Sequence, residues 1–260
     1  MIKEKDFGFK KEIRTITHPK TGEPHTVYLR EGDITLDTKI YRYIDFTYLL
    51  DMLKNKKLYV ANRASFSDRR DSKGEKASLK EIGNELNVAS KQTKKSRREH
   101  DIKQKDIRKQ CISCWTLNTN EEGEFKENYL LWKSHDNKKL VCRISTTIGK
   151  MIDSLESISS DVIISKVSYH DPLHPPIHHI YYEVFGKTSF YSEEREVRFL
   201  FITKNNESYF YLDINTENFL SEITLSPFIN PTLHNFLSEQ LISQYPFLKD
   251  KISKSNIIEY

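Results

Sequence analysis

The chain has 260 residues, a formal net charge of +4, 37% hydrophobic, 30% charged and 12% aromatic residues. That aromatic content argues against disorder, and a chain of this length can bury a core without disulfide or metal staples. Only 8 residues are glycine, against about 18 at the average usage of about 7%. Neither G-x-G-x-x-G nor G-x-x-x-x-G-K-[ST] occurs, which excludes the loops that bring backbone against phosphate in Rossmann dehydrogenases and Walker-type NTPases.

In chain order, residues 1–38 read as a hairpin extension. Residues 13–17 and 25–29 flank a turn cluster that runs from Pro19 to Pro24. Residues 39–44 read as a strand. Phe46, Leu49, Leu50 and Leu53 then recur at helical spacing, and residues 57–61 read as a second strand. The stretch 73–110 has 12 Lys+Arg and 6 Asp+Glu, no proline and two glycines. It reads as a basic helical insertion that carries the whole positive excess. Beyond it, residues 111–117, 140–145, 162–169, 194–202 and 223–226 read as strands, with residues 209–213 as the hairpin mate of 194–202. Residues 127–134, 148–158 and 232–244 read as helices. Strands in runs, without regular βαβ alternation, predict a single α+β domain over 1–260 with a mixed, mostly antiparallel sheet flanked by helices.

No apolar run approaches the ~18 residues that span a bilayer, and residues 1–11 carry charges without an apolar h-region. Neither a membrane nor a secretory signal is expected. Three cysteines, Cys111, Cys114 and Cys142, suit a reducing cytoplasm. Cys111 and Cys114 fall three apart on a strand and point to opposite faces, which works against chelation. His170, His174, His178 and His179 have a helical H-x3-H spacing, but Pro172, Pro175 and Pro176 work against a helix there. No metal site is expected.

The strongest candidate site is Glu194-Arg195-Glu196-Val197-Arg198. On a strand, Glu194, Glu196 and Arg198 share a face that runs on into Leu200 and Ile202. Two neighbouring carboxylates that end in a buried strand suit acid–base work in a cleft. Arg42, between Tyr41 and Tyr43, is placed to clamp a phosphate or carboxylate. Ser65 and Asp68, just after the second strand, can form turns or face a polar ligand. Trp132 and His135 stand one helical turn apart, as a stacking platform and a proton donor; Tyr59 is a second ring that could stack. Lys94, Lys95, Arg97, Arg98, Lys105, Arg108 and Lys109 could hold a nucleic-acid backbone.

These landmarks resemble a bacterial family catalogued as a domain of unknown function. It shows, in order, Y-R-Y, S-F-N-D-P-F-D, C-[FI]-S, L-W-S-H-Y, G-V-C and E-x-E-x-R. The chain has Tyr41-Arg42-Tyr43, Ser65-Phe66-Ser67-Asp68 with Asp71, Cys111-Ile112-Ser113, Leu131-Trp132, Val141-Cys142 and Glu194 to Arg198. It departs from the family at Ser67, Arg69, His135 and Leu140. The resemblance implies a setting among mobile-element and phage-defence genes.

The order Arg42, Ser65-Phe66-Ser67, Glu194-Arg195-Glu196 is also remotely similar to ADP-ribosyltransferases of the Arg–Ser–Glu type, with a shorter first and a longer second interval. That likeness implies an NAD-using cytoplasmic enzyme, a toxin or defence effector that transfers ADP-ribose or hydrolyses NAD. Arg42 would hold the cofactor phosphates and Ser65 would support the cleft. Glu196 would bond a ribose hydroxyl and stabilise the oxocarbenium ion, and Glu194 would activate the acceptor, a nucleic acid or a protein. The alternatives are a nucleic-acid-binding defence module and a non-catalytic ligand sensor.

Overall fold

The computed structural model describes residues 11–30, 34–63, 110–119, 123–135, 140–158, 160–171, 182–203 and 208–257. In chain order these form β1 (Lys11–Thr17), β2 (Pro24–Leu29), β3 (Lys39–Asp45), α1 (Phe46–Asn55), β4 (Lys57–Asn62), β5 (Cys111–Thr116) and α2 (Tyr129–His135). They continue with β6 (Val141–Thr147), α3 (Ile148–Asp153), β7 (Asp161–Lys166), β8 (Ser168–His170), α4 (Tyr182–Phe185), β9 (Gly186–Thr188) and β10 (Glu196–Ile202). The last elements are β11 (Tyr209–Asp213), α5 (Thr216–Phe219), β12 (Glu222–Leu225), α6 (Pro231–Gln244) and β13 (Ile252–Ser253). The predicted α+β class and the mixed, mostly antiparallel sheet are observed. Among the described residues 11 strands join in one sheet, along the path β1-β2-β7-β10-β5-β3-β6-β12-β13 with β4 and β11 branching off, and β8 and β9 form a separate pair.

Sequence chemistry explains the main elements. β1 and β2 form the expected hairpin, with register from Lys11 opposite Leu29 to Thr17 opposite Pro24. Its turn uses Gly22 at φ 70°, and the His18 ring nitrogen Nδ1 accepts from the amides of Lys20 and Thr21. The hairpin is part of the main sheet, because β2 runs parallel to β7 with Val27 opposite Val162. α1 is N-capped by Asp45, whose carboxylate accepts from the Thr47 amide at 2.8 Å. It stops at Lys56 in a left-handed conformation, φ 53°, and buries Phe46, Leu49, Met52 and Leu53.

α1 and α3 bury their apolar stripes against one sheet face, with Ile40, Val60, Trp115, Ile144, Val197, Phe199 and Phe201. The other face holds a smaller cluster of Ile112, Ile163, Val184, Phe185 and Leu200. β10 therefore alternates between two buried faces, which is why Val197, Phe199 and Phe201 can be apolar on one side while Glu196, Arg198 and Leu200 stand on the other.

Three expectations give way to a different arrangement. β10 starts at Glu196, not at residue 194: residues Ser189–Glu194 wind into a 3-10 turn that ends on Arg195 at φ 43°. A left-handed residue cannot continue a strand. β11 does not pair with β10; it pairs with β4, with Tyr211 opposite Tyr59, because both edges of β10 are already taken by β5 and β7. The helix expected over 148–158 is an α-helix only to Asp153, followed by a 3-10 turn. The insertion 73–110 lies almost entirely outside the described residues.

One buried polar network was not legible beforehand. Arg143 on β6 lies 3.2 Å from the Glu127 carboxylate, with both side chains about 5% exposed or less. Arg143 also donates to Thr224 Oγ1 at 2.8 Å and sits against the Tyr41 and Phe125 rings. Glu127 accepts from Trp132 Nε1, Ser255 Oγ and the Asn256 amide, each at 2.8 Å. The carboxylate thus ties β6, α2 and the segment after β13 together. Glu127→Ala is expected to strand the Arg143 charge and to lower the unfolding free energy by about 3–5 kcal/mol. Urea denaturation measures it, and a loss no larger than the ~1 kcal/mol of an exposed pair contradicts this role.

Candidate functional site: a cavity in the fork of the sheet

The site begins with a conflict over one strand edge. One edge of β5 is fully paired to β10, from Cys111 opposite Phe201 to Thr116 opposite Glu196. The other edge is shared. β4 pairs with its start, at Ile112 and Cys111, and β3 pairs only with its end, at Thr116. Between these contacts β3 and β4 splay apart, and Ser113 to Trp115 have no strand partner on that side among the described residues. A cavity of about 560 Å³ opens beside this fork, a size within the ~300–1,000 Å³ typical of ligand pockets. It is lined by Tyr41 to Asp45, Tyr48, Ala61, Ile112, Cys114 to Thr116, Leu131, Ser134, His135, Glu194 and Glu196.

Arg42 reaches across the fork. Its Nη1 donates to the Tyr59 carbonyl of β4 at 3.3 Å, and its guanidinium lies 5.9 Å from the Trp115 ring centre. No carboxylate pairs with it among the described residues. Burial pulls its pKa down, only partly opposed by Cys114 and Tyr59. A desolvated guanidinium that lines a cavity, with no carboxylate paired to it among the described residues, is chemically suited to an anion.

The opposite wall carries the reverse charge, and it is braced. The register puts Tyr41, Thr116 and Glu196 in one row across β3, β5 and β10, so Tyr41 and Glu196 stand roughly 10 Å apart at ordinary strand spacing. Glu196 Oε2 accepts from Arg198 Nη2 at 2.7 Å and lies 3.5 Å from Lys187 Nζ. Arg198 is fully buried and donates from Nη1 to the Val184 carbonyl at 2.6 Å. Lys187 also pairs with Glu194 at 2.6 Å and lies 4.5 Å from the Tyr191 ring centre. The Glu196 amide donates to Tyr169 Oη at 2.9 Å, and burial raises the Tyr169 phenol. Both cations meet Oε2; among the described residues nothing donates to Oε1.

His135, the last residue of α2, lines the same cavity. Its Nδ1 lies 2.9 Å from the Leu131 carbonyl and 3.0 Å from Ser134 Oγ, and its ring stacks on Tyr43 with centres 5.9 Å apart. A carbonyl only accepts, so Nδ1 carries the hydrogen and Nε2 is left as a lone-pair acceptor. Burial lowers the His135 pKa, and the Arg42 charge lowers it further against the opposing carbonyl bond.

Arg42, Glu194 and Glu196 thus meet in one cavity, although Glu194 arrives from the turn before β10 and not from the strand. Arg198 stands behind Glu196 as its buried counter-ion. Trp132 is completely buried under Tyr43, edge to face at 4.9 Å, with its indole nitrogen committed to Glu127, and does not line the cavity. Tyr59 does not line the cavity either; its carbonyl accepts from Arg42, and its 40% exposed ring lies among Tyr209 and Tyr211. Cys111 packs in the main core, whereas Cys114 lines the cavity from the other face of β5. Ser65, Asp68, Lys94, Lys95, Arg97, Arg98, Lys105, Arg108 and Lys109 lie outside the described residues, as do His174, His178 and His179. Lys187 and Tyr169 were missed by sequence reasoning; both sit on short strands, β9 and β8, without a motif. Comparison with family models, with curated proteins and with solved structures found no match.

The His135 environment has a readable pH signature. Its ring is expected to titrate below the ordinary 6.5, as seen by NMR, and Arg42→Met is expected to move the midpoint upward by removal of a like charge. His25, 2% exposed, is lowered by burial in the same direction. The unfolded chain therefore takes up these protons first, and stability falls as pH drops below about 6.5. A His135 midpoint at or above 6.5 contradicts the described surroundings.

Proposed function

We propose that the cavity is an NAD site and that the protein cleaves the nicotinamide–ribose bond, with transfer of ADP-ribose to an acceptor or to water. The observation that carries the reading is the polarity of one cavity: Arg42, which pairs with no carboxylate among the described residues, on one wall, and Glu194 and Glu196 braced by Lys187 on the other. NAD has the matching polarity, with an anionic pyrophosphate and a cationic nicotinamide ring on either side of a ribose. Its binding here needs no glycine loop, in keeping with the few glycines of the chain.

In this reading Arg42 takes the pyrophosphate through charge-assisted hydrogen bonds. Glu196 Oε1 accepts from a ribose hydroxyl and stabilises the positive charge that develops at the anomeric carbon. The carbon–nitrogen bond breaks with its electron pair on nicotinamide, and water or an acceptor hydroxyl attacks the same carbon. Glu194 or the Nε2 of His135 takes the proton released, so that hydrolysis yields ADP-ribose, nicotinamide and one proton. Lys187 and Arg198 are positioning residues that hold the carboxylates fixed while charge develops. The cysteines Cys111, Cys114 and Cys142 fit a cytoplasmic setting, where NAD consumption would make the protein a toxin or phage-defence effector.

Purified protein with NAD is expected to release nicotinamide, measured by chromatography. Glu196→Gln should slow release by about 10²–10³-fold, and Arg42→Met should lower kcat/KM by about 10–100-fold, the worth of a charged hydrogen bond. Release that is absent from the wild type, or equal in the wild type and Glu196→Gln, rejects the assignment.

A further inference from the structure

A further charge in the cavity has no part in the proposed reaction. Asp45, the last residue of β3, lines it together with Tyr48, Ser134 and His135. Its place follows from the strand. The row through Tyr41 and Thr116 leads to Glu196, Arg42 comes next along β3, and Asp45 lies beyond it, roughly 10 Å from Arg42 at ordinary strand rise. The cavity therefore carries its charges in the order carboxylate, guanidinium, carboxylate.

Asp45 also decides what the near end of α1 can hold. A helix N-terminus attracts anions through its unpaired amides and its dipole. Here the protein's own carboxylate takes that place: Asp45 Oδ1 accepts from the Thr47 amide at 2.8 Å and from Thr47 Oγ1 at 2.7 Å. A ligand anion at this end of the cavity would meet a negative charge where the bare helix would favour it. A hydroxyl meets no such penalty. A carboxylate accepts about four hydrogen bonds, so Asp45 can cap α1 and bond a ligand as well. Tyr48, in the first turn of α1 and 64% exposed, offers a ring for a base beside it.

We propose, resting on the NAD reading of this cavity, that Asp45 is its specificity-determining residue: it bonds the adenosine ribose hydroxyls of NAD and excludes NADP. With the nicotinamide ribose at Glu196 and the pyrophosphate at Arg42, the adenosine ribose extends along β3 towards Asp45. NAD carries a 2′-hydroxyl on that ribose, which the carboxylate accepts. NADP carries a 2′-phosphate there, which the carboxylate repels.

Calorimetric titration of the full-length chain compares ADP-ribose with ADP-ribose 2′-phosphate. Both carry the pyrophosphate and the adenosine ribose, and both lack the bond to nicotinamide, so neither is turned over. The wild type is expected to bind ADP-ribose about tenfold more tightly or better, the scale of one charged contact. Asp45→Asn should narrow that gap by about tenfold, mainly through tighter binding of the 2′-phosphate. Asparagine still caps a helix, so only the charge is lost. If Asp45→Asn melts early, Asp45→Ser, with another capping side chain, replaces it. Equal binding of the two ligands by the wild type, or a gap that loss of the Asp45 charge leaves unchanged, overturns the proposal. In either case ADP-ribose binding that Arg42→Met weakens leaves the NAD reading standing. If neither ADP-ribose nor NAD binds the wild type, the NAD reading fails and the role of Asp45 falls with it.

Discussion

The site depends on one constraint of sheet geometry: a strand edge can be hydrogen-bonded by only one neighbour at a time. The inner edge of β5 is claimed by β4 at Ile112 and by β3 at Thr116, and the two claimants must diverge between. The divergence creates the cavity, and it puts Arg42, which in an ordinary strand would sit over a neighbour, across an open gap. A guanidinium there loses water without gaining a carboxylate among the described residues. The carbonyl of Tyr59 and the face of Trp115 offset part of that cost, and under the proposed reading an anion in the cavity would offset the rest.

The other wall solves the opposite problem. A carboxylate at Glu196, 8% exposed, would be costly alone. Arg198 from the same strand face and Lys187 from β9 meet it, and Lys187 also holds Glu194. Because both cations attach to Oε2, the brace does not consume Oε1. Among the described residues, the cavity thus has a cation without a carboxylate partner on one side and a carboxylate with one oxygen to spare on the other. Perturbed and incompletely paired groups in one cleft mark functional sites more often than structural ones.

Much of this was legible where local chemistry decides. The α1 stripe of Phe46, Leu49 and Leu53 and the alternation of β10 each followed from short-range rules. Arg42 and the Glu194/Glu196 pair were legible as candidates because a charged side chain inside an apolar strand requires a reason. What failed was tertiary. Nothing local says that Arg195 adopts a left-handed backbone, and that single residue moves Glu194 off the strand. Nothing local says that both edges of β10 are occupied, which sends β11 to β4. Lys187 in Gly186-Lys187-Thr188 looks like any exposed lysine until β8 and β9 bring it between two carboxylates. Trp132 looked like a platform because tryptophan often is one; its burial follows from Glu127, whose partner Arg143 is distant in sequence.

The central claim is that Arg42 and the facing carboxylates form one site for an anionic, phosphate-bearing ligand of NAD chemistry. The most direct measurement is the unfolding free energy in urea with and without NAD, for the wild type and for Arg42→Met. The account predicts that NAD at 100 times its Kd stabilises the wild type by about 2.7 kcal/mol, and that the same concentration stabilises Arg42→Met far less. No stabilisation of the wild type at millimolar NAD, or equal stabilisation of both proteins, would contradict it.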